Sequence, residues 1–178
     1  MLEGKNVNLR IIEKEDLPQF AEMLNKPEVM GEYNPILQIP RTEAEKILES
    51  PNELTPFFIE KKDGSKIGYI MYFYVLHIAG KQLEIGYAME PSERGKGYCT
   101  EAVNLMVDYL FLSKENIRIQ VQTDQRNVAS QRVLEKSGFK KEGGLRKNLF
   151  NRGEWTDDFI FSILREEWKE PRILTKTA

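Results

Sequence analysis

The segment with the clearest chemical potential is a short glycine-containing loop that leads into a helix. It reads RGKGYCT at 94–100 and follows a stretch with the pattern of a strand. The first N–H groups of a helix have no partner inside the helix, and the helix dipole makes that end positive. Glycines at 95 and 97 let the main chain approach a ligand closely. The loop therefore predicts a phosphate or diphosphate site, with a plain turn after a strand as the alternative.

Two common nucleotide motifs do not fit this loop. A Walker loop needs the pattern GxxxxGK[ST], and the chain contains no such run. A dinucleotide fingerprint needs a third glycine near Thr100 and a strand that runs directly into the first glycine. Here the third glycine is missing and the strand pattern stops several residues early. A nucleotide or dinucleotide enzyme is therefore a disfavoured alternative.

The elements that must position this loop follow from the apolar periodicity of the chain. Alternation and turn residues predict seven strands, and spacings of three and four predict four helices. The strands are 7–11, 57–61, 67–78, 82–89, 117–121, one from 139 and 155–164. The first helix opens near 15, prolines at 27, 35 and 40 break the next stretch into turns, and a second short helix runs from a cap at Thr42 to about 48. The other two helices cover 102–111 and 127–136. Tight turns at 63–64 and 80–81 predict an antiparallel meander. A strand–helix–strand unit in the second half adds one parallel pair, so we expect an α/β fold with a mixed sheet.

Composition places the chain among ordinary globular proteins. Its 178 residues are 40% hydrophobic and 30% charged, which predicts one domain over 1–168 and a loose tail over 169–178. The longest uncharged stretch, 67–80, is too short to span a bilayer, and no secretory pattern opens the chain. A single cysteine favours a reducing compartment, so a cytoplasmic location is expected. A net charge of −2 argues against a nucleic-acid partner.

The motifs together resemble those of the GNAT superfamily of N-acyltransferases. Arg94-x-x-Gly97-x-Cys99 is similar to the family's coenzyme diphosphate loop, which usually reads Gln/Arg-x-x-Gly-x-Gly/Ala. Further similarity points to the branch that acetylates the N-termini of ribosomal proteins. It is carried by LEIGYAM at 83–89, TEA at 100–102, Asn127-x-x-Ser130, SGF at 137–139, EG at 142–143, Gly153-x-Trp155-x-Asp157 and EW at 167–168. The resemblance runs from near residue 5 to Trp168.

This resemblance implies a splayed, mostly antiparallel sheet that holds acetyl-CoA in a V between the fourth and fifth strands. No metal is implied. The chain would move the acetyl group directly, in a ternary complex, to a primary amine: a protein N-terminus, a polyamine, an amino acid or an aminoglycoside. The oligomeric state, monomer or homodimer, stays open. The implied coenzyme-binding residues are Tyr87, Ala88, Met89, Arg94, Gly95, Lys96, Gly97, Tyr98, Cys99, Thr100, Asn127 and Ser130.

Transfer to an amine needs a proton acceptor and a donor for the developing oxyanion. We expect Glu84 to be the base, Ser130 the acid or thiolate donor, and an N–H near Met89 the oxyanion donor. The alternatives are a structural carboxylate and a serine that bonds its own helix. Two departures from the family, Leu134 for a tyrosine acid and Gln122 for a glutamate base, keep a non-catalytic acyl-CoA sensor open as the second function.

The charge distribution suggests where the acceptor binds. Residues 1–54 hold 6 basic and 11 acidic residues, whereas 91–152 hold 12 basic and 7 acidic ones. Acidic groups attract a cationic amine, and the basic half suits an anionic coenzyme. From this asymmetry and from the family resemblance we expect the acceptor to be bound by residues of the N-terminal third, by the proposed base, and by the loop between the last two strands: Glu28, Glu32, Tyr33, Glu84 and Trp155.

Overall fold

The computed structural model describes residues 1–49, 54–78, 80–169 and 171. Within them lie eight strands and five α-helices. The strands are β1 (Leu2–Glu3), β2 (Val7–Ile11), β3 (Leu54–Lys61), β4 (Lys66–His77), β5 (Gly80–Met89), β6 (Arg118–Asp124), β7 (Lys140–Asn151) and β8 (Glu154–Leu164); the helices are α1 (Leu17–Asn25), α2 (Pro27–Met30), α3 (Arg41–Glu49), α4 (Tyr98–Ser113) and α5 (Val128–Lys136). Single 3-10 turns cover Lys14–Asp16, Pro91–Glu93 and Arg165–Glu167.

All eight strands form one sheet in the order β1-β2-β3-β4-β5-β6-β8-β7. Every neighbouring pair is antiparallel except β5 and β6, which α4 connects and which run parallel. This pair has one residue pair in register, Glu84 with Gln120, and β5 continues for five residues beyond it. The two strands therefore separate toward their carboxyl ends, and the expected splay of the mixed sheet is confirmed.

Helices cover the two faces of the sheet unequally. On one face, α4 packs with buried residues of β5 and β6 such as Ile85, Ile119 and Val121. On the other face, α1 and α2 pack against β3 and β4 through Phe20 and Phe58. Because side chains alternate along a strand, the polar residues 120, 122 and 124 of β6 point away from α4. This polar face of β6 is available for a functional site.

Two short elements were not predicted. Strand β1 has only two residues, which is too few to show a period, and it pairs with β2 beside Leu9. Helix α2 has four residues, too few to show a helical period, and it begins at Pro27, since proline is compatible with the first turn of a helix. The seven predicted strands are all present. The expected tail lies largely outside the described residues, at 170 and 172–178, and the domain boundary stays a prediction.

Two end contacts complete the core around α4. The indole N–H of Trp168 donates to the buried carboxylate of Asp108 at 2.8 Å. The guanidinium of Arg165 donates to carbonyls at the end of α4 and just beyond it, which satisfies groups that a helix leaves unpaired. In the part of the chain described, no helix has both the length and the apolar character needed to cross a membrane.

Candidate functional site

The loop before α4 has its helix N–H groups uncovered. Gly95 and Gly97 have φ angles of 76° and 86°, in the left-handed region that favours glycine. Gly97 is the N-cap of α4 and offers no side chain to accept from the helix, whose first bond joins the Glu101 N–H to the Gly97 carbonyl at 3.1 Å. The N–H groups of 98–100 therefore have no partner within the helix. They form a site suited to an anion.

The positive side chains of this loop are exposed, and both also bond to neighbouring groups of the protein. Arg94 Nε donates to the Met89 carbonyl at 3.0 Å, and its Nη2 donates to the Val29 carbonyl at 3.0 Å. Its own N–H donates to a carbonyl of the preceding 3-10 turn. Lys96 pairs with Glu93 at 3.0 Å. Arg94 is thus a brace that joins α2 to the end of β5, and its expected contact with the coenzyme stays a prediction.

The separation of β5 from β6 leaves main-chain groups along the edge of β5. The Glu90 N–H donates to the Ile67 carbonyl of the chain segment that forms β4, at 2.9 Å. Because N–H groups alternate along a strand, that of Ala88 also faces β4. Those of Tyr87 and Met89 face the gap toward β6. This gap between β5 and β6, at 87–89 and 121–124, is called the cleft below.

Glu84 lies where the cleft begins. Glu84 is 7% exposed. Its Oε2 accepts hydrogen bonds from Gln120 Nε2 at 2.8 Å and from Gln122 Nε2 at 3.4 Å. Asn148 of β7 then donates both to Gln122 at 3.1 Å and to Asp158 of β8 at 2.7 Å. A continuous network of hydrogen bonds therefore orients the Glu84 carboxylate, and this network runs from β6 through β7 to β8.

The first turn of α5 lies across the cleft from β5. The side chain of Asn127 accepts the Ser130 N–H at 3.0 Å and so caps the helix. Ser130 Oγ is 2.9 Å from the phenol oxygen of Tyr87. Leu134, one turn further, is fully buried in the core. A polar pair, Tyr87 and Ser130, thus stands near the cleft, and the position at which the resemblance implied a tyrosine acid is the apolar Leu134.

Cys99 lies in the first turn of α4. Although part of the residue is exposed, burial raises the pKa of its thiol to about 12, and the nearby charge of Arg94 lowers it only slightly. A thiol that stays protonated at neutral pH is a weak nucleophile. The raised pKa of the thiol favours a role for Cys99 in packing beside the loop over a role as a nucleophile that carries the acyl group.

A cluster of charged and aromatic side chains lies at the far end of β6. Asp124 and Asp158 are opposite each other in register, and both are buried. Arg126 donates to both oxygens of Asp124 at 2.7 and 2.9 Å and to Glu154 at 2.6 Å, and it lies 5.9 Å from the ring centre of Tyr33. These five residues are called the acidic cluster below.

The pKa values of the two buried aspartates of this cluster shift in opposite directions. Burial raises the pKa of Asp158, and the charges of Asp124 and Asp157 raise it further, against the hydrogen bond from Asn148. For Asp124 burial also acts upward, but the bonds from Arg126 outweigh it and hold the pKa below its usual value. A cationic ligand would therefore stabilise the ionised carboxylate of Asp158 more than that of Asp124, which Arg126 already pairs.

The turn between β7 and β8 joins this cluster to the N-terminal third. Asn151 donates to the Glu32 carbonyl at 3.3 Å, and Arg152 donates to the Gly31 carbonyl at 3.1 Å. Glu32 therefore lies beside the acidic cluster to which Tyr33 belongs, and a shared acceptor site stays a prediction. Glu28 lies exposed on α2, a few residues earlier.

Trp155 does not join this group. Side chains alternate along β8, so Trp155 points to the face opposite Glu154. The Trp155 residue is 55% exposed, and its ring packs against that of Phe150 at 5.7 Å between ring centres. The prediction that Trp155 binds the acceptor is thus not supported by its placement. Asp124, Arg126, Asn148 and Asp158 were missed, because only the register of β6, β7 and β8 brings them together.

A cavity of about 420 Å³ lies beside the loop that precedes α4. Glu101, on its wall, accepts from the Asn6 and Val7 N–H groups at 2.7 and 3.3 Å. Lys5 and Lys136 add two positive charges at its edge. The remaining lining residues are Gly4, Gly97, Thr100, Asn104 and Leu105.

Comparison with known proteins gives consistent similarities along the chain. A family model described as "Acetyltransferase (GNAT) domain" matches residues 6–140. The probable N-acetyltransferase YjcK of Bacillus subtilis (strain 168) is 34% identical over 178 residues, covering 94% of this chain and 98% of that protein. Two solved structures share the fold. RimJ of Mycobacterium smegmatis in complex with CoA-disulfide has a TM-score of 0.80 at 25% identity, with 93% of this chain and 85% of that chain covered. Spermidine N-acetyltransferase from Vibrio cholerae in complex with CoA and spermine has a TM-score of 0.79 at 23% identity, with 91% and 97% covered.

Proposed function

Since the chain belongs to the GNAT family of N-acetyltransferases, we propose that it moves the acetyl group of acetyl-CoA directly to a primary amine. The observation that carries this proposal is the uncapped N-terminus of α4 beside the cleft between β5 and β6. The helix N-terminus offers N–H donors to the diphosphate of the coenzyme. The cleft offers the open edge of β5 to the extended pantetheine arm. Both substrates would then meet at Glu84.

The coenzyme would be held mainly by the main chain. N–H groups of 95–100 would bind the diphosphate, and the edge of β5 at 87–89 would pair with the amide groups of the pantetheine arm. The nucleoside end would extend toward the cavity edged by Lys5 and Lys136, whose charges suit a phosphate. Acetyl-CoA supplies an activated acyl group whose thiolate leaves readily, since thiols ionise near pH 8.5.

Three groups of this chain would carry the chemistry. Glu84, oriented by Gln120 and Gln122, would accept the proton of the attacking amine, directly or through water. The Met89 N–H, which faces the cleft, would donate to the developing oxyanion. Ser130 would donate to the departing sulfur. Positioning of two bound substrates would supply much of the remaining rate.

The acceptor would be a cationic primary amine. Support comes from the acidic cluster, which includes Tyr33 and in which the pKa of Asp158 is raised, and from Glu32 beside it. Among similar proteins, one is named a spermidine N(1)-acetyltransferase and another a ribosomal-protein-S5-alanine acetyltransferase. We therefore propose a polyamine or a protein α-amine as the first classes to test, followed by amino acids and aminoglycosides.

The test is an acceptor screen that follows thiol release from acetyl-CoA, together with calorimetric titration of CoA. We expect micromolar to millimolar CoA affinity and thiol release that depends on one class of amine. CoA binding without thiol release for any amine would favour the sensor function instead. Thermal stabilisation by NAD or ATP but not by acetyl-CoA would favour a nucleotide enzyme.

A further inference from the structure

The phenol of Tyr87 and the hydroxyl of Ser130 form a hydrogen bond of 2.9 Å between β5 and α5. Tyr87 belongs to the strand that borders the cleft, and Ser130 lies in the first turn of the helix that begins beyond β6. The bond therefore connects the two elements between which the thioester is proposed to lie. Its effect on the reaction depends on which oxygen donates.

The geometry allows either oxygen to donate, and the surroundings of the phenol favour Tyr87 as the donor. Burial raises the pKa of Tyr87 far above its ordinary value, so the group keeps its proton at any working pH. A partly buried tyrosine O–H still favours an acceptor within the protein, and Ser130 Oγ is within reach. When the phenol donates to it, the hydrogen of the serine hydroxyl is free to turn toward a third atom. The Ser130 N–H is already held by Asn127, so the serine main chain is fixed.

We infer that Tyr87 is a positioning residue whose phenol donates to Ser130 Oγ and turns the serine O–H toward the coenzyme sulfur. This inference rests on the proposed function. When the C–S bond breaks, its electron pair stays on sulfur, and the Ser130 hydrogen bond stabilises the thiolate until water protonates it. Neither Tyr87 nor Ser130 gives up its proton. The pair thus supplies a donor on a helix in which the residue one turn after Ser130 is the buried, apolar Leu134.

A structural role for the same bond makes a different prediction. If it only attaches α5 to β5, removing the phenol oxygen would lower stability or coenzyme affinity and leave turnover of the bound complex unchanged. If it aims the serine, removal would lower kcat and leave coenzyme affinity unchanged. The two roles are separated by measuring kcat, KM and the CoA dissociation constant on the same variants.

The experiment compares Tyr87→Phe, Ser130→Ala and the double variant on the whole protein, with the best amine from the acceptor screen. We expect Tyr87→Phe to lower kcat about 10-fold and Ser130→Ala to lower it at least as much, because a hydrogen bond to a charged group is lost. The double variant should be no slower than Ser130→Ala, since Tyr87 acts through Ser130. The CoA dissociation constant should stay within about twofold. Tyr109→Phe, which removes a partly buried phenol oxygen elsewhere, is the matched control and should keep the wild-type kcat.

Multiplicative losses in the double variant would overturn the inference, because the two residues would then act separately. A Tyr87→Phe enzyme with unchanged kcat, or one that loses only coenzyme affinity or thermal stability, would overturn it as well. These outcomes leave the proposed function intact, since the wild type would still release thiol. A wild type that turns over no amine would remove both.

Discussion

The two halves of the proposed site differ in the chemical groups that form them. The coenzyme half consists of main-chain N–H groups from one continuous segment, 95–100, and from the edge of β5. The acceptor half consists of side chains from β6, β7, β8 and the segment around Tyr33, joined by hydrogen bonds and ion pairs. A main-chain site depends on backbone conformation and so tolerates many side chains. A side-chain site depends on which residue stands at each position, so it determines the acceptor.

Glu84 stands where the two halves meet, and its replacement should have the largest effect. Glu84→Gln keeps the size of the side chain and removes the proton acceptor, so kcat should fall about 100-fold or more while the KM for acetyl-CoA stays nearly constant. Steady-state kinetics across pH would also show a flattened low-pH arm. Glu135→Gln, on the exposed side of α5, is the control. Equal loss in both variants would remove Glu84 from its role.

Gly97 tests the main-chain half. A Cβ at this position meets no atom within 4 Å, but its φ of 86° is unfavourable for other residues, above all for β-branched ones. Gly97→Val should therefore weaken CoA binding about 10-fold by shifting the loop, at a strain of roughly 1–2 kcal/mol. Gly143→Val also meets open space, but without a positive φ, and should bind CoA normally. Calorimetry measures both. Normal CoA affinity in Gly97→Val would show that the loop conformation does not matter.

Asp158 tests the side-chain half. Asp158→Asn should raise the acceptor KM about 5-fold and leave the CoA dissociation constant unchanged, because one attractive carboxylate is lost. Since its pKa is raised, the wild-type carboxyl takes up a proton at a higher pH than an ordinary aspartate. The acceptor KM of the wild type should thus rise as pH falls, and this rise should be absent in the variant. Asp157→Asn is the neighbouring control, and an equal effect there would indicate general electrostatics.

The smallest effect is expected at Glu142, which links β7 to β6 and β8 through Arg118 and Ser162. These bonds lower its pKa to about 2, so its ionised form stabilises the folded state. This contribution is present above the ordinary glutamate pKa and is lost as pH falls toward about 2. Because the carboxylate is partly exposed, Glu142→Gln should lower the free energy of unfolding by less than about 1 kcal/mol at neutral pH. Urea denaturation at neutral and acidic pH measures it; an equal penalty at both would contradict the account.

The same contrast explains what the sequence could reveal. The loop at 94–100 could be predicted because its glycines and its helix are contiguous, and the strands could be predicted because period-2 alternation is local. Arg126 and Asp158 could not, since their contacts depend on the register of β6 with β8. The brace at Arg94 depends on where α2 packs. Trp155 was assigned to the acceptor from its loop position, but strand alternation directs it to the other face.

The central claim is that the N–H groups of 95–100 bind the diphosphate of CoA. A crystal structure of the protein with saturating CoA tests it most directly. The account predicts diphosphate oxygens about 3 Å from the Gly97, Tyr98 and Cys99 nitrogens, with the pantetheine arm along 87–89. Coenzyme bound elsewhere, with these nitrogens facing only water, would contradict it.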